Sequence, residues 1–585
     1  MAASRRRPLI AAYVAGLIPA LLMALTQPVW SRVDEAQHTD FIIQLSHGVY
    51  PLADRTIIDR ETLRLMQSTG VFRFESPGSY PTPDVNDIGP APDGLSARAN
   101  AVWMSRHIWQ LSYESAQPPG YYVLMVPFWW IASRAGGTLA AVYVMRVINA
   151  LLIALLAPMA VVVASRLAPH RREIAVLAAL FAVLLPGLAL NGTRVSNDAL
   201  SAVLGGLVIV LAVGNVSRSW TWRRAALAGL TLGVGLLVKV TLIGVLPALA
   251  LAMLWPVRER SWRYRAATVL VASAVAAACL VPWFAINYLN YGAISPLGLT
   301  SRLTQTLPMP VTPALLGVDV AFFLLTYWTG EPLGALPFAA PFVVLASLTA
   351  LMAAAGVAVA VRRLESSHGQ LLMAIAATGG IVVLTLFLPS ASGFDFLGPG
   401  RYAYPALPAT GALMALGIDS ALRRAYARRA LSGFYGLTAA AILVGGALGL
   451  GAEASPPGSG VPPTSADVVT SGATGQLEFV SIEVDRVALD GAGRATWLHV
   501  NVTNAGSTEV EWNPAPTISV GGETRAADYA RSTHLAGDVE SGQSISGWIY
   551  VPVGVHRGDA IELRFSNVAL DGYRKVGDVV LQFSV

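Results

Sequence analysis

The run PLIAAYVAGLIPALLMALTQPVW, residues 8–30, carries no charge and directly follows Arg5, Arg6 and Arg7. At ~1.5 Å of rise per residue its roughly 23 residues cross a hydrocarbon core of ~30 Å. It is longer than the apolar part of a signal peptide, so it reads as a retained first membrane span that starts on the basic, cytoplasmic side. The whole chain shares this character. Of its 585 residues 54% are hydrophobic and 13% charged, and the mean hydropathy is +0.56, too apolar for a soluble globular protein. The net charge of +5 comes from Lys and Arg grouped between apolar runs, so it reports topology, and no nucleic-acid partner is expected. Cys279, the one cysteine, leaves no intrachain disulfide and no thiolate metal site.

From this first span the chain emerges outside into a long polar loop, 34–119, with short amphipathic pieces at 61–67 and 99–111. The apolar piece 120–131 is short for a crossing. If it spanned, the next run would point Arg166, His170, Arg171 and Arg172 outward, so it reads as an interfacial or re-entrant helix. Charge then orders the runs 138–167, 174–190 and 199–216. The run 225–255 is basic at both ends and reads as two short helices turning near Lys239 and Thr241. The runs 266–286, 336–361, 371–388, 402–422 and 431–450 follow, with a second outer loop at about 287–318 and a brief apolar piece at 320–328. The expectation is an α-helical multi-pass membrane protein of about eleven spans, N-terminus inside and C-terminus outside, occupying 1–451.

Beyond residue 451 the composition changes. A Pro/Ser/Gly-rich linker, 452–475, leads into 476–585, where apolar and polar residues alternate, as in Trp497-Leu498-His499-Val500-Asn501-Val502 and Ser546-Gly547-Trp548-Ile549-Tyr550-Val551. Short strands between Gly, Asn and Asp turns over this length indicate an all-β sandwich outside the membrane.

The candidate chemistry lies on the outer rim. Residues 33–40 place Asp34, Glu35, His38 and Asp40 just after the first span. Such carboxylates and imidazole suit general-base work or a hard divalent cation, Mg, Mn or Ca, with Glu35 and His38 as candidate ligands. Within the octet Asp34 is the candidate base, and Asp40 is expected at the helix surface or behind the reacting groups. Tyr113-Glu114-Ser115-Ala116-Gln117-Pro118-Pro119-Gly120-Tyr121-Tyr122 leads into an apolar segment, where the two prolines simply start a helix or set the floor of a cavity, with Gln117, Tyr121 and Tyr122 as candidate acceptor or pocket residues. Arg194, Asn197 and Asp198 lie where the chain turns back, a place equally suited to a helix cap. Lys239 is an ammonium in an apolar helix pair, and Arg401, beside Tyr402, offers a guanidinium fork that suits phosphate oxygens.

Taken in order, the acidic motif after the first span, the long outer loop, 117–122, the 194–198 turn, the 233–239 hairpin, Pro282-Trp283-Phe284-Ala285-Ile286-Asn287-Tyr288 and Gly400-Arg401-Tyr402 resemble the GT-C superfamily. These are glycosyltransferases that use polyprenyl-phosphate sugars, among them protein O-mannosyltransferases, aminoarabinose transferases and arabinofuranosyltransferases. Asp34-Glu35-Ala36-Gln37-His38 is similar in particular to bacterial GT-C-like membrane proteins of unassigned function. The resemblance covers about 8–450. It departs at Gln117, where many members carry histidine before the two prolines. It implies a polyprenyl-phosphate-linked sugar entering from the bilayer, an extracytoplasmic acceptor, and a site on the outer face of the cell membrane. Asp34 is implied as the base of an inverting transfer; Arg401, Lys239 and Tyr402 are the candidate donor-phosphate residues by their chemistry, and the β domain, which the resemblance does not cover, is a candidate carbohydrate-binding domain. Other classes fit the same residues: a transporter or flippase of lipid-linked saccharides, or a non-catalytic glycan-binding scaffold.

Overall fold

In the computed structural model the described residues are 2–27, 29–30, 34–69, 93–107, 110–216, 219–256, 260–295, 313–330, 339–361, 368–391, 398–422, 424–452, 461–463, 465–489, 496–513, 516–527, 532–533, 535 and 537–585. Parts of the outer loop 34–119, of the second outer loop and of the linker therefore lie outside the described residues. The chain forms two units, one from 1–62, 112–302 and 306–452, the other from 63–111, 303–305 and 453–585.

The first unit is helical. Its elements are α1 (Ala2–Thr26), α2 (Glu35–Ser46), then, after the α3 segment (Arg60–Thr69) and α4 (Ala97–His107), α5 (Gly120–Ile153), α6 (Leu156–Leu167), α7 (Arg172–Val183) and α8 (Pro186–Asn191). There follow α9 (Asp198–Asn215), α10 (Trp222–Val238), α11 (Leu246–Leu254), α12 (Trp262–Tyr291), α13 (Pro313–Trp328), α14 (Ala339–Val361), α15 (His368–Ala391), α16 (Leu407–Ala421) and α17 (Ala425–Ala452). Among the described residues, 7 helices are long and apolar enough to cross a membrane, and the chain is a membrane protein of that kind. Their outward faces carry Leu289, Leu437 and Leu448 at 82%, 70% and 73% exposure, which a bilayer tolerates and water does not.

Seven long helices stand against about eleven runs read from charge because several runs are broken. Leu185 is extended ahead of Pro186, which splits 174–190 into α7 and α8. Lys239, extended at φ −156°, separates α10 from a 3-10 turn (Val240–Val245) and α11. The run 402–422 likewise opens as a 3-10 turn, Gly400–Ala406, before α16. The piece 120–131, expected as a short interfacial helix, continues as helix until Gly137, whose φ of +79° only glycine adopts readily, kinks α5. Elsewhere helices touch backbone to backbone: a Cβ on Gly356 of α14 would collide with the Gly417 carbonyl of α16. Small residues at such crossings replace the hydrophobic drive that lipid removes.

The second unit holds the strands. One sheet runs β1-β2-β3-β8, Asp467–Leu477, Val480–Leu489, Thr496–Asn504 and Ser544–Val551. The other orders β6 (Glu523–Ala526), β5 (Thr517–Val520), β9 (Ala560–Leu570), β4 (Val510–Glu511) and β7 (Asp538–Val539), with β10 (Lys575–Ser584) beside β9, and every pair is antiparallel. Along β3 burial alternates residue by residue, and Leu498, Val500 and Val502 share one core with Ile518, Leu563 and Phe565 of the facing sheet. Two sheets closing on one apolar layer make the sandwich expected from period two. The linker reading of 452–475 needs correction, because β1 begins at Asp467. Its small polar residues suit a solvated edge strand paired only with β2, which composition alone does not separate from a linker. This unit also takes in α4, whose Trp103 and Val102 are buried with Tyr573, while Arg98 and Arg106 pair with Asp578 at 3.0 Å and Glu511 at 3.3 Å.

Candidate active site

Five chain ends of the helical unit meet at one buried cluster: the start of α2, a 3-10 turn at Tyr113–Ala116, the start of α9, the end of α10 and the 3-10 turn Gly400–Ala406. Helix ends lack part of their internal hydrogen bonding, so they can present polar groups where helix middles cannot. Asp34 caps α2 in the left-handed region at φ 55°, and its carbonyl accepts from the His38 N–H at 2.9 Å. A non-glycine residue is held there only when its surroundings demand it. Its carboxylate accepts from the Tyr113 hydroxyl at 2.8 Å and from Arg401 at 3.2 Å.

Around this pair the ions alternate. Lys239 donates to Asp198, Arg401 Nε lies 3.8 Å from the second Asp198 oxygen, and the Lys239 ammonium sits 4.2 Å from the centre of the Tyr402 ring. His38 Nδ1 and the Tyr122 hydroxyl are hydrogen-bonded at 2.7 Å, and Glu114 Oε2 lies 3.5 Å from the same nitrogen. The sequence candidates Asp34, His38, Tyr122, Asp198, Lys239, Arg401 and Tyr402 thus meet in one place.

Burial sets the proton positions. It pushes the His38 imidazole down to about 4, leaving it neutral at pH 7. Burial also raises the Asp34 carboxyl, but the Arg401 charge and the hydrogen bond from Tyr113 outweigh this and hold it below its ordinary value. Burial therefore does not lift the Asp34 carboxyl above its ordinary value in this arrangement. Glu114 is pushed up to about 8 by burial and by the neighbouring Asp34 charge.

Other candidates serve as supports. Glu35, read beside Asp34 as catalytic or metal-ligating, starts α2 and points the other way. Arg146 of α5 donates to both its oxygens, at 2.8 and 2.6 Å, and the Val195 N–H donates at 2.8 Å. Both members of this ion pair are fully buried. The residues named for a divalent cation therefore do not fit one: Glu35 is taken up by Arg146, and no three His, Cys, Asp or Glu converge as ligands among the described residues. Asp40 is no helix-surface residue either. It is buried, accepts from the Asp59 N–H at 2.7 Å and from Thr62 at 3.0 Å, and pins the outer loop to α2. Tyr121 bonds Asn149, whose amide also donates to the Arg194 carbonyl, and Asn197 donates to the Val238 carbonyl at 3.1 Å. Arg194 is buried in the same turn. Gln117 is half-buried and its backbone N–H closes the turn on the Glu114 carbonyl.

Two residues of the cluster, Tyr113 and Glu114, stand in the stretch 113–122 quoted from the sequence but are not among its candidate site residues. A lone acid between polar residues has no periodicity to mark it. Arg401 in turn depends on glycine: the Gly400 N–H donates to Thr326 at 2.7 Å, and a Cβ there would run into the backbone of Phe323 and Tyr327 on α13. Gly400→Ala is expected to destabilise the protein by about 1–3 kcal/mol, since helix backbone cannot yield as a side chain can. A lowered thermal midpoint of the purified variant checks this.

Among known proteins, the family described as "Predicted membrane protein (DUF2142)" matches residues 17–410. No curated protein matches the chain. Among solved structures it is similar to the oligosaccharyltransferase of Archaeoglobus fulgidus in the apo form, with a TM-score of 0.40 and 15% identity over 76% of this chain and 56% of that one. It is similar also to the archaeal oligosaccharyltransferase AglB from Archaeoglobus fulgidus in complex with an inhibitory peptide and a dolichol-phosphate, with a TM-score of 0.40 and 12% identity over 77% and 56%. For the complex with Zn and sulfate the TM-score is 0.36 and the identity 17%, over 58% and 44%. The chain spans about half the length of these structures. Since the matched residues make up more than half of the sequence, the protein belongs to the DUF2142 family of predicted membrane proteins.

Proposed function

We propose that this protein is a membrane glycosyltransferase of the GT-C kind, which moves a sugar from a polyprenyl-phosphate donor to a hydroxyl of an extracytoplasmic acceptor. The observation that carries this reading is the contact between the strained Asp34 carboxylate and Arg401, with the Lys239–Asp198 pair beside it. A carboxylate that can take a proton and two cations that can take a phosphate lie in one buried cluster.

In this mechanism the donor phosphate competes with Asp34 for the Arg401 guanidinium. Binding of the phosphate draws Arg401 away and removes the charge that holds the carboxyl low, so the base strengthens as the donor arrives. Asp34 then takes the acceptor hydroxyl proton while the acceptor oxygen attacks the anomeric carbon. The bond from that carbon to the phosphate oxygen breaks, and polyprenyl phosphate leaves with its electron pair, its charge held by Arg401 and Lys239. One displacement inverts the anomeric centre. No step is routed through a metal.

Incubating the purified full chain with labelled polyprenyl-phosphate sugars and envelope acceptors tests this. Appearance of label in the acceptor is the expected result. Movement of intact lipid-linked saccharide across a vesicle membrane without transfer would favour a transporter instead.

A further inference from the structure

Glu114 is the buried acid of the cluster that the mechanism above does not use. It lies on the 3-10 turn between the outer loop and α5, is 8% exposed, and its Oε2 makes no hydrogen bond among the described residues. The groups facing it come from every neighbouring element: Asp34 and His38 from the start of α2, Tyr122 from α5, Asp198 from α9, Lys239 from the end of α10 and Arg401 from the Gly400–Ala406 turn. Asp34 and Asp198 already balance Arg401 and Lys239. A third ionised carboxylate would leave the cluster of side chains with an excess negative charge in a desolvated place. Burial and the Asp34 charge instead favour the acid form, and an acid carboxyl has a hydrogen to donate. His38 Nδ1, at 3.5 Å, is already engaged by Tyr122.

An unsatisfied buried oxygen among groups suited to an anion is costly unless a ligand completes it. We infer that Glu114 is a third phosphate-binding residue, a neutral carboxyl that donates a hydrogen bond to an oxygen of the donor phosphate beside Arg401 and Lys239. A neutral donor binds the phosphate without adding another cation that would hold Asp34 low. This inference rests on the glycosyltransferase reading and adds a residue to its donor site. It also sets the sign of a pH effect. As pH rises through the Glu114 titration the hydrogen is lost and a negative charge appears beside the phosphate, so donor binding weakens towards alkaline pH.

The probe is a fluorescent polyprenyl phosphodiester, whose single charge is constant between pH 6 and 9, titrated onto the full-length protein in lipid nanodiscs. Wild-type affinity is expected to fall about tenfold from pH 7 to pH 9, the loss that follows when only the acid form binds. Glu114→Gln, which keeps a donor of the same shape, is expected to bind within about threefold of wild type at pH 7 and to stay flat to pH 9. Glu114→Ala is expected to lose about tenfold at pH 7, with thermal midpoints recorded for both variants so that misfolded protein is excluded. Wild-type affinity in Glu114→Ala at pH 7, or an alkaline loss in Glu114→Gln equal to that of wild type, would overturn the inference while leaving the glycosyltransferase reading standing. Failure of the wild-type protein to bind the probe at any pH would overturn both.

Discussion

Asp34→Asn is expected to lower sugar transfer by about 10²- to 10⁴-fold, the range general-base catalysis supplies, while the protein still binds the polyprenyl phosphodiester. The substitution is chosen for what it preserves. Asparagine tolerates the left-handed backbone that Asp34 adopts at φ 55°, and its amide oxygen can still accept from Tyr113. What it removes is the charge that pairs with Arg401. Arg401 then no longer answers the Asp34 charge, so donor binding should be unchanged or tighter even as transfer disappears. Loss of both together would mean that Asp34 acts on the fold or on lipid binding, and unchanged transfer would sink its assignment as base. The pH sign follows from the same contacts. The ionised carboxylate is present above its pKa and lost below it, and before the phosphate binds Arg401 and Tyr113 place that loss below the ordinary carboxylate range. In Tyr113→Phe the acid limb of activity should therefore move upward.

Cutting the Glu35–Arg146 pair carries the largest expected effect on stability. Both side chains are fully buried, and Glu35 ties α2 to α5 and to the Val195 turn. Glu35→Ala or Arg146→Ala alone strands an unpaired charge and is expected to cost about 3–5 kcal/mol, read as a large drop in thermal midpoint or as loss of folded protein. Replacing both with methionine removes the two charges together and should recover most of the loss. Residual transfer in that folded double variant would separate a supporting Glu35 from a catalytic one. A double variant that is as stable as wild type yet wholly inactive would return Glu35 to the reacting groups.

This pair also shows how much of the site was legible in advance. The octet 33–40 singled out Asp34 and His38, because acids and imidazole just after an apolar run are rare enough to need partners, and both lie in the buried cluster. It also named Glu35, which lies apart from them, because adjacency in sequence is not adjacency in space: successive side chains at a helix start diverge, and here the left-handed cap turns Asp34 to Arg401 and Glu35 to Arg146. Arg401 and Lys239 were visible as cations next to apolar segments. Their engagement by Asp34 and Asp198 was not, and the Arg401 charge outweighs the effect of burial on the Asp34 carboxyl. Glu114 and Tyr113 gave no local signal, since their importance lies in what surrounds them.

The sequence by itself determined a membrane protein followed by a β domain. A hydrocarbon core demands long uncharged runs, and a half-buried strand demands alternation, so both are written in local periodicity. Only the tertiary structure decided which runs break into short helices, which strand the apparent linker contains, and which carboxylate meets which cation. Those outcomes depend on contacts between residues far apart in the chain, such as Asp34 with Arg401 across 367 positions, and no local pattern encodes the identity of so distant a partner.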